Sequence, residues 1–225
     1  MTTVLVVDDQ SLIRQAVSDI LASESDLGVV GEAVDGAQAV ALARELRPDV
    51  VLMDIRMPVL DGIGATAAIC ADPELADTRV LILTTFEEDE NLIATLRAGA
   101  SGFIGKGSEP EEIVRAVRAV HAGDALLSPA ATRSLITRYV VVADGPSSPR
   151  SVPAELALLT ERELEVLLLV ARGRSNQQIA DELVISPHTS KTHVNRIMTK
   201  VAAHDRAQLV ILAYESGLLR PGADD

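Results

Sequence analysis

The sequence has 225 residues, enough for two domains or one large one. It is 48% hydrophobic but only 2% aromatic, with no Trp, so its cores must be aliphatic. The net charge of −13 is unevenly spread: residues 1–142 carry 11 Lys and Arg against 22 Asp and Glu, whereas residues 155–225 carry 8 against 10. This excludes the acidic first part as a nucleic-acid surface, so any DNA contact falls to the C-terminal part. The single Cys70, placed in a helix as a small buried hydrophobe, excludes an internal disulfide. No run approaches the roughly 20 apolar residues of a membrane span, and no basic stretch precedes the first apolar run, so a cytoplasmic protein with no membrane partner is expected.

From residue 3, short aliphatic runs alternate with longer segments of helical period. The runs fall at 4–7, 29–33, 50–53, 80–84 and 102–104, and the helical spacing at about 11–23, 36–46, 62–71, 88–98 and 109–122. Five such units predict an α/β fold, a doubly wound parallel sheet of five strands. Val50-Val51-Leu52-Met53 has no polar alternation, as expected of a strand buried on both faces, and it delivers Asp54 where open α/β sheets place their chemistry. Another helix is expected from Ser128-Pro129 to about residue 142, then a Pro- and Ser-rich linker at 143–153. The domains are accordingly placed at 1–125 and 155–225, with 126–154 connecting them.

Past the linker the period is helical throughout. Thr160-Glu161-Arg162-Glu163 fits a capping box opening a helix that Gly173 stops. Asn176 is expected to cap a short helix through Leu183, and Ser186-Pro187 supplies an N-cap and first position for a helix to about residue 201. A last helix spans about 206–216. Four helices in about 65 residues, with a tight turn at Val184-Ile185, predict an all-α helix-turn-helix domain.

Three features converge on Asp54. Asp8 and Asp9 follow the first strand, Thr84 ends the fourth, and Lys106 lies just past the fifth. Three carboxylates at one sheet edge repel unless a cation sits among them, and hard oxygen ligands select Mg²⁺. A hydroxyl and an ammonium beside them suit a phosphoryl group, with Thr84 as donor to one oxygen and Lys106 as a point charge on another. The chemistry implied is a carboxylate nucleophile forming an acyl phosphate. Each residue alone has an ordinary structural role, as an N-cap, a strand residue or a solvated charge. Their joint occurrence at successive strand ends points to chemistry.

VVDDQ at 6–10, MDIRMP at 53–58, DG at 61–62, the TT pair at 84–85 and GASGFIGK at 99–106 resemble the receiver domain of bacterial two-component response regulators, over residues 1 to about 125. The resemblance implies that Asp54 is the phosphoacceptor, that Asp8 and Asp9 are an acidic Mg²⁺ pair, and that the backbone carbonyl of Arg56 is a further metal ligand. By the same resemblance Thr84 and Lys106 hold the phosphoryl group, and Phe103 is an aromatic switch that turns inward when Thr84 moves. It also implies a sensor histidine kinase as partner, and a protein that assists its own phosphoryl transfer and dephosphorylation without being an enzyme. One departure stands out: many receivers have Pro after this Lys, where Gly107 stands here.

Within 187–200, Val194 and Ile197, with Val201 after them, give a core stripe, while Lys191, Thr192 and Asn195 lie opposite with Arg196 and Thr199 beside them. Such a face can reach base edges, Lys toward guanine and Asn toward adenine, with Arg196 and Lys200 suited to phosphates. Residues 186–206 carry Lys191, Arg196, Lys200 and Arg206 against Asp205 alone. The whole segment 159–201 resembles the LuxR-type output domain, so the chain resembles the NarL/FixJ family. This implies 176–183 as positioning helix, 187–200 as recognition helix on double-stranded promoter DNA, and the helix from Arg206 as the element of a homodimer formed on phosphorylation. It also implies that the unphosphorylated receiver masks 187–200. Ser190 replaces the usual Val, and Val201-Ala202-Ala203 the usual Leu-Gly-Val.

Two other readings stand beside this one. A Mg²⁺-dependent phosphatase with Asp54 as nucleophile would, if dehalogenase-like, need a second Asp two residues on, where Arg56 stands. A regulator of the same architecture that answers to a protein or small molecule instead of phosphate would not need the complete acidic set.

Overall fold

The five aliphatic runs become five parallel strands. In the computed structural model, residues 1–84, 94–123, 154–203 and 206–219 are described, and the chain divides into two units, 1–126 and 127–225. The first unit runs β1 (Thr2–Val7), α1 (Ser11–Ala22), β2 (Leu27–Ala33), α2 (Gly36–Leu46), β3 (Val50–Asp54), α3 (Gly62–Cys70), β4 (Arg79–Thr84), β5 (Gly102–Gly105) and α4 (Pro110–His121). Residues 94–97 are helical; the rest of the helix expected at 88–98, up to residue 93, lies outside the described residues. The connecting helix at 129–142 and the linker at 143–153 lie outside them as well.

The sheet order is β2-β1-β3-β4-β5, the doubly wound arrangement with the chain reversing direction of travel at β1 and β3. Strand β3 is buried along its whole length, as its unbroken apolar run requires of a central parallel strand. Successive side chains point to opposite faces. Val4, Val6, Val50, Leu52, Leu81, Leu83 and Ile104 join Val17 and Leu21 of α1 and Ile113, Val114 and Val117 of α4 in one core. The alternate residues Leu5, Val7, Val51, Met53 and Ile82 are equally buried, on the side of α2 and α3. Both faces are therefore dry, and polar groups can be used only at the sheet edges.

Local chemistry sets the helix starts. The Asp35 carboxylate accepts a hydrogen bond from the Gln38 amide and caps α2, and Asp61 accepts one from Gly64 and caps α3. Gly62 is the residue that lets α3 begin against the end of β3: a Cβ there would lie 2.1 Å from the Asp54 carbonyl oxygen. Cys70 ends α3, half-buried.

The second unit, in its described residues, holds a 3₁₀ turn (Ala154–Leu158) and four helices, α5 (Glu161–Ala171), α6 (Asn176–Leu183), α7 (Pro187–Lys200) and α8 (Arg206–Glu215). The capping box of Thr160 and Glu163 forms as expected. The cap of α6 is Ser175, in a second capping box with Gln178, and Asn176 is the first helical residue instead. Ser186 caps α7 through the Thr189 amide, and Val184 makes the turn between α6 and α7 in a left-handed conformation with φ of 54°. The core joins Val166, Leu167 and Val170 of α5, Ile179 of α6, Val194 and Ile197 of α7, and Leu209, Val210 and Ala213 of α8. No helix among the described residues is long and apolar enough to cross a membrane.

Besides Val184, two further residues of this unit, Ala202 and Ser190, sit against the local physics. Ala202 turns the chain after α7 at φ of 53°, where a side chain is unfavourable and glycine is at ease. Ser190 is wholly buried, and its hydroxyl has no hydrogen-bond partner among the described residues. Ala202→Gly and Ser190→Val are each expected to stabilise the second unit by about 1 kcal/mol. Urea unfolding of the full-length variants measures this; a lower midpoint for either would show that its site is already relaxed.

Candidate functional site

Parallel pairing brings the C-terminal ends of four strands to one edge. Val7 of β1 pairs with Met53 of β3, so Asp8 emerges beside Asp54. Asp54 pairs with Leu83, Leu83 with Ile104, and Thr84 with Gly105, so Thr84 and Lys106 follow on the same edge. The Lys106 amide donates to the Thr84 carbonyl at 2.8 Å, extending the ladder by one residue. Lys106 Nζ then reaches back across the edge, 2.9 Å from Asp8 Oδ2 and 3.0 Å from Asp54 Oδ2. The three side chains are 8%, 0% and 6% exposed.

Each carboxylate is oriented by backbone. Asp8 Oδ1 accepts from the Gln10 amide at 2.9 Å, and Asp54 Oδ1 from the Ile55 amide at 2.8 Å. Asp8 Oδ2, fully buried, faces the Lys106 ammonium and accepts from no other described residue, so its compensation rests on that one cation. Burial pushes the Asp54 carboxyl above its ordinary value; Lys106 opposes this and the neighbouring Asp8 charge adds to it. Burial would lower the Lys106 ammonium, but Asp8 and Asp54 together hold it above its ordinary value, so it is a cation at neutral pH.

Asp9 is exposed, and one oxygen from each of Asp8, Asp9 and Asp54 lies within 4.8 Å of the others. Hard carboxylate oxygens converging on an edge where a single ammonium compensates them can hold a small divalent cation. Arg56 is exposed two residues past Asp54, Thr84 is buried, and the Phe103 ring is buried in β5. Gly107 is exposed, with nothing within 4 Å of where a Cβ would be.

Behind the edge stands a group that sequence reasoning missed. Arg14 of α1 donates from Nη1 to the Asp8 carbonyl at 2.7 Å and from Nε to Glu32 of β2 at 3.0 Å, and the Ser18 hydroxyl donates to the other Glu32 oxygen at 2.8 Å. Its only signal in the sequence is a cation one turn into the helix that follows VVDDQ.

On α7, Lys191, Asn195 and Arg196 are exposed and Thr192 is half-exposed. The Thr192 hydroxyl donates to the His188 carbonyl at 2.9 Å, so its methyl group is the part left to meet a ligand. Lys200 donates to Glu163 Oε2 at 2.7 Å, joining the Thr160 amide and hydroxyl on the same oxygen. The Lys200 bond foremost, then the Thr160 amide, pulls the Glu163 carboxyl down to about 2. Arg206 is buried and donates to Asn176 Oδ1 at 2.9 Å and to the Arg174 carbonyl. Two of the four cations counted in the basic segment therefore fasten helices together.

Family models match in two places: the response regulator receiver domain over residues 4–118, and the bacterial regulatory proteins of the luxR family over residues 157–213. The transcriptional regulatory protein LiaR of Bacillus subtilis (strain 168) is 37% identical over 97% of this chain and 100% of its own length. The response regulator protein VraR of Staphylococcus aureus (strain NCTC 8325 / PS 47) is 39% identical over 96% of this chain and 98% of its own. Among solved structures, the response regulator ChrA of a heme-sensing two-component system aligns at 32% identity with a TM-score of 0.51, over 96% of this chain and 98% of that one. The receiver domain of NarL from Mycobacterium tuberculosis aligns at 41% identity and 0.52, over 54% of this chain and 97% of that one.

Removing one member of a buried ion cluster strands the others. Lys106→Met is expected to cost about 3 kcal/mol of stability at pH 7 without added metal, by urea unfolding. An unchanged midpoint would mean that the two carboxylates are not both charged there. For Glu163 the folded value of about 2 lies below the ordinary 4.5, so its contribution to stability is full above 4.5 and is lost as pH falls from there toward 2. Lys200→Met is expected to flatten the loss of stability of the second unit between pH 5 and pH 3; a slope parallel to wild type would remove Lys200 as its cause.

Proposed function

This chain belongs to the two-component response regulators that join a receiver domain to a LuxR-type DNA-binding domain, and we propose that Asp54 is its phosphoacceptor. It is a regulator of transcription. The observation that supports the finer reading is the buried Lys106 ammonium shared by Asp8 and Asp54 beside a third carboxylate, Asp9. The domains in this reading are the receiver at 1–125, a connection at 126–154 and the output domain at 155–225, in a cytoplasmic protein.

The ligands proposed for Mg²⁺ are Asp8, Asp9, Asp54 and the Arg56 carbonyl; when bound, the ion offsets the negative charge that gathers at the phosphoryl oxygens. A carboxylate oxygen of Asp54 attacks phosphorus, and the bond from phosphorus to a histidine nitrogen of the kinase breaks, leaving its electron pair on that nitrogen. Lys106 then exchanges a carboxylate oxygen for a phosphoryl oxygen, and the Thr84 hydroxyl donates to another. Movement of Thr84 vacates the space into which Phe103 settles. Water attack on the same phosphorus breaks its bond to the Asp54 oxygen, returning the carboxylate and releasing inorganic phosphate, so the receiver assists its own phosphorylation and dephosphorylation without turning over a separate substrate.

In the output domain, α7 is the recognition helix. Lys191 and Asn195 address guanine and adenine edges, the Thr192 methyl a thymine methyl, and Arg196 the phosphates, while Lys200, expected there from the sequence, is engaged by Glu163. Few positive charges face the DNA from one such domain, so a homodimer on paired half-sites, promoted by phosphorylation, is the working form. A bias of a few kcal/mol in a two-state equilibrium suffices for the switch.

Intact mass after incubation with Mg²⁺ and a small acyl phosphate donor, for wild type and Asp54→Ala, tests this, with DNA binding followed on the same samples. A single phosphoryl adduct on wild type alone, with DNA binding tightened at least tenfold, is expected. A folded wild type that takes no adduct would overturn the assignment of Asp54.

A further inference from the structure

The acidic edge is held from behind by a chain of bonds whose residues have no place in the chemistry proposed so far. Glu32, on the edge strand β2, offers both oxygens to α1: one accepts from Ser18 and the other from Arg14 Nε. Arg14 spends a second donor, Nη1, on the carbonyl of Asp8. Its side chain is only 15% exposed, so the guanidinium is clamped between the two acceptors rather than waving in solvent. A planar fork that binds a carboxylate with one nitrogen and a carbonyl with another fixes their relative position, which a Lys could not do.

The consequence falls on Asp8. Its carbonyl is fixed by Arg14, its amide by the Ala33 carbonyl at 3.2 Å, and its Oδ1 by the Gln10 amide. With these three groups fixed, Oδ2 is left pointing at the edge, buried and facing the Lys106 ammonium at 2.9 Å. Removing Arg14 leaves the Asp8 carbonyl and Glu32 each short of a donor and frees the turn at 8–10 to rotate. Outer-shell groups of this kind typically change metal affinity by about 10- to 100-fold.

We propose that Arg14, held in place by Glu32 and Ser18, is a positioning residue for the metal-binding pair, setting the aim of Asp8 and, through the turn, of Asp9. This rests on the reading of Asp8, Asp9 and Asp54 as a divalent-cation site.

The experiment is a Mn²⁺ titration of the full chain followed by electron paramagnetic resonance, with Mg²⁺ as competitor and a thermal melt of the metal-free protein alongside. Arg14→Ala is expected to weaken Mn²⁺ binding at least tenfold, Glu32→Gln by a smaller factor, and Arg14→Lys to recover only part. Arg118→Ala is the control. It removes an ion pair of α4 with Glu24 and Asp26 in the turn before β2, and is expected to leave Mn²⁺ affinity within twofold whatever it does to the melt. Arg14→Ala and Glu32→Gln both folded and both within twofold of wild type would overturn the positioning role. Equal weakening by Arg118→Ala would do the same, by showing that general loosening is the cause. Should Arg14→Ala not fold, Glu32→Gln decides between these outcomes. A wild type that takes up no Mn²⁺ would instead overturn the cation site, and with it the premise.

Discussion

Two like charges held 4.8 Å apart repel by about 3 kcal/mol at an effective dielectric near 20, and three carboxylates stand within that distance at the end of this sheet. The doubly wound fold creates the problem, because both faces of β1 and β3 are packed with aliphatic side chains and the strands must end side by side. It also contains the answer, because β5 lies two strands from β3 and its next residue is Lys106. The ammonium crosses β4 to reach Asp54 and Asp8, so a single cation ties the ends of three strands together. One positive charge does not neutralise three negative ones. The edge keeps a deficit of positive charge, which a second cation would offset.

The parts of this arrangement that could be read from the sequence are those fixed by short-range rules. Parallel strands buried on both faces are continuous apolar runs, so the five strands show themselves, and the residues at or just past the end of each run lie at the sheet edge. Asp8, Asp54, Thr84 and Lys106 are found that way. Among the described residues, helix starts are legible to within one residue. The displacement of the α6 cap from Asn176 to Ser175 arises because both residue types cap well, and Gln178, three residues past Ser175, settles which one completes a capping box.

What the sequence hid depends on tertiary pairing. Arg14 and Glu32 are 18 residues apart, and Glu163 and Lys200 are 37 apart, so no periodicity links them. Counting Arg206 as surface charge failed for the same reason: a cation in a basic stretch looks solvated until the fold supplies Asn176 Oδ1 and the Arg174 carbonyl as its acceptors. Charge density along a sequence measures supply, whereas the surface receives only what the interior does not use.

That distinction bears on how the output unit can work. Lys200 and Arg206 fasten α7 to α5 and α8 to the turn before α6, which holds the candidate recognition helix rigidly against its core. Rigidity favours specificity, since the exposed Lys191 and Asn195 are presented in one geometry. It also draws positive charge away from the phosphates, and binding strength to DNA scales with the number of phosphates neutralised, at a slope of about 0.9 in log affinity against log salt for each. In the reading proposed above, grip would come from joining two copies, where the second contact is intramolecular, and an assembly step that sets affinity is one that a modification in a separate receiver could control.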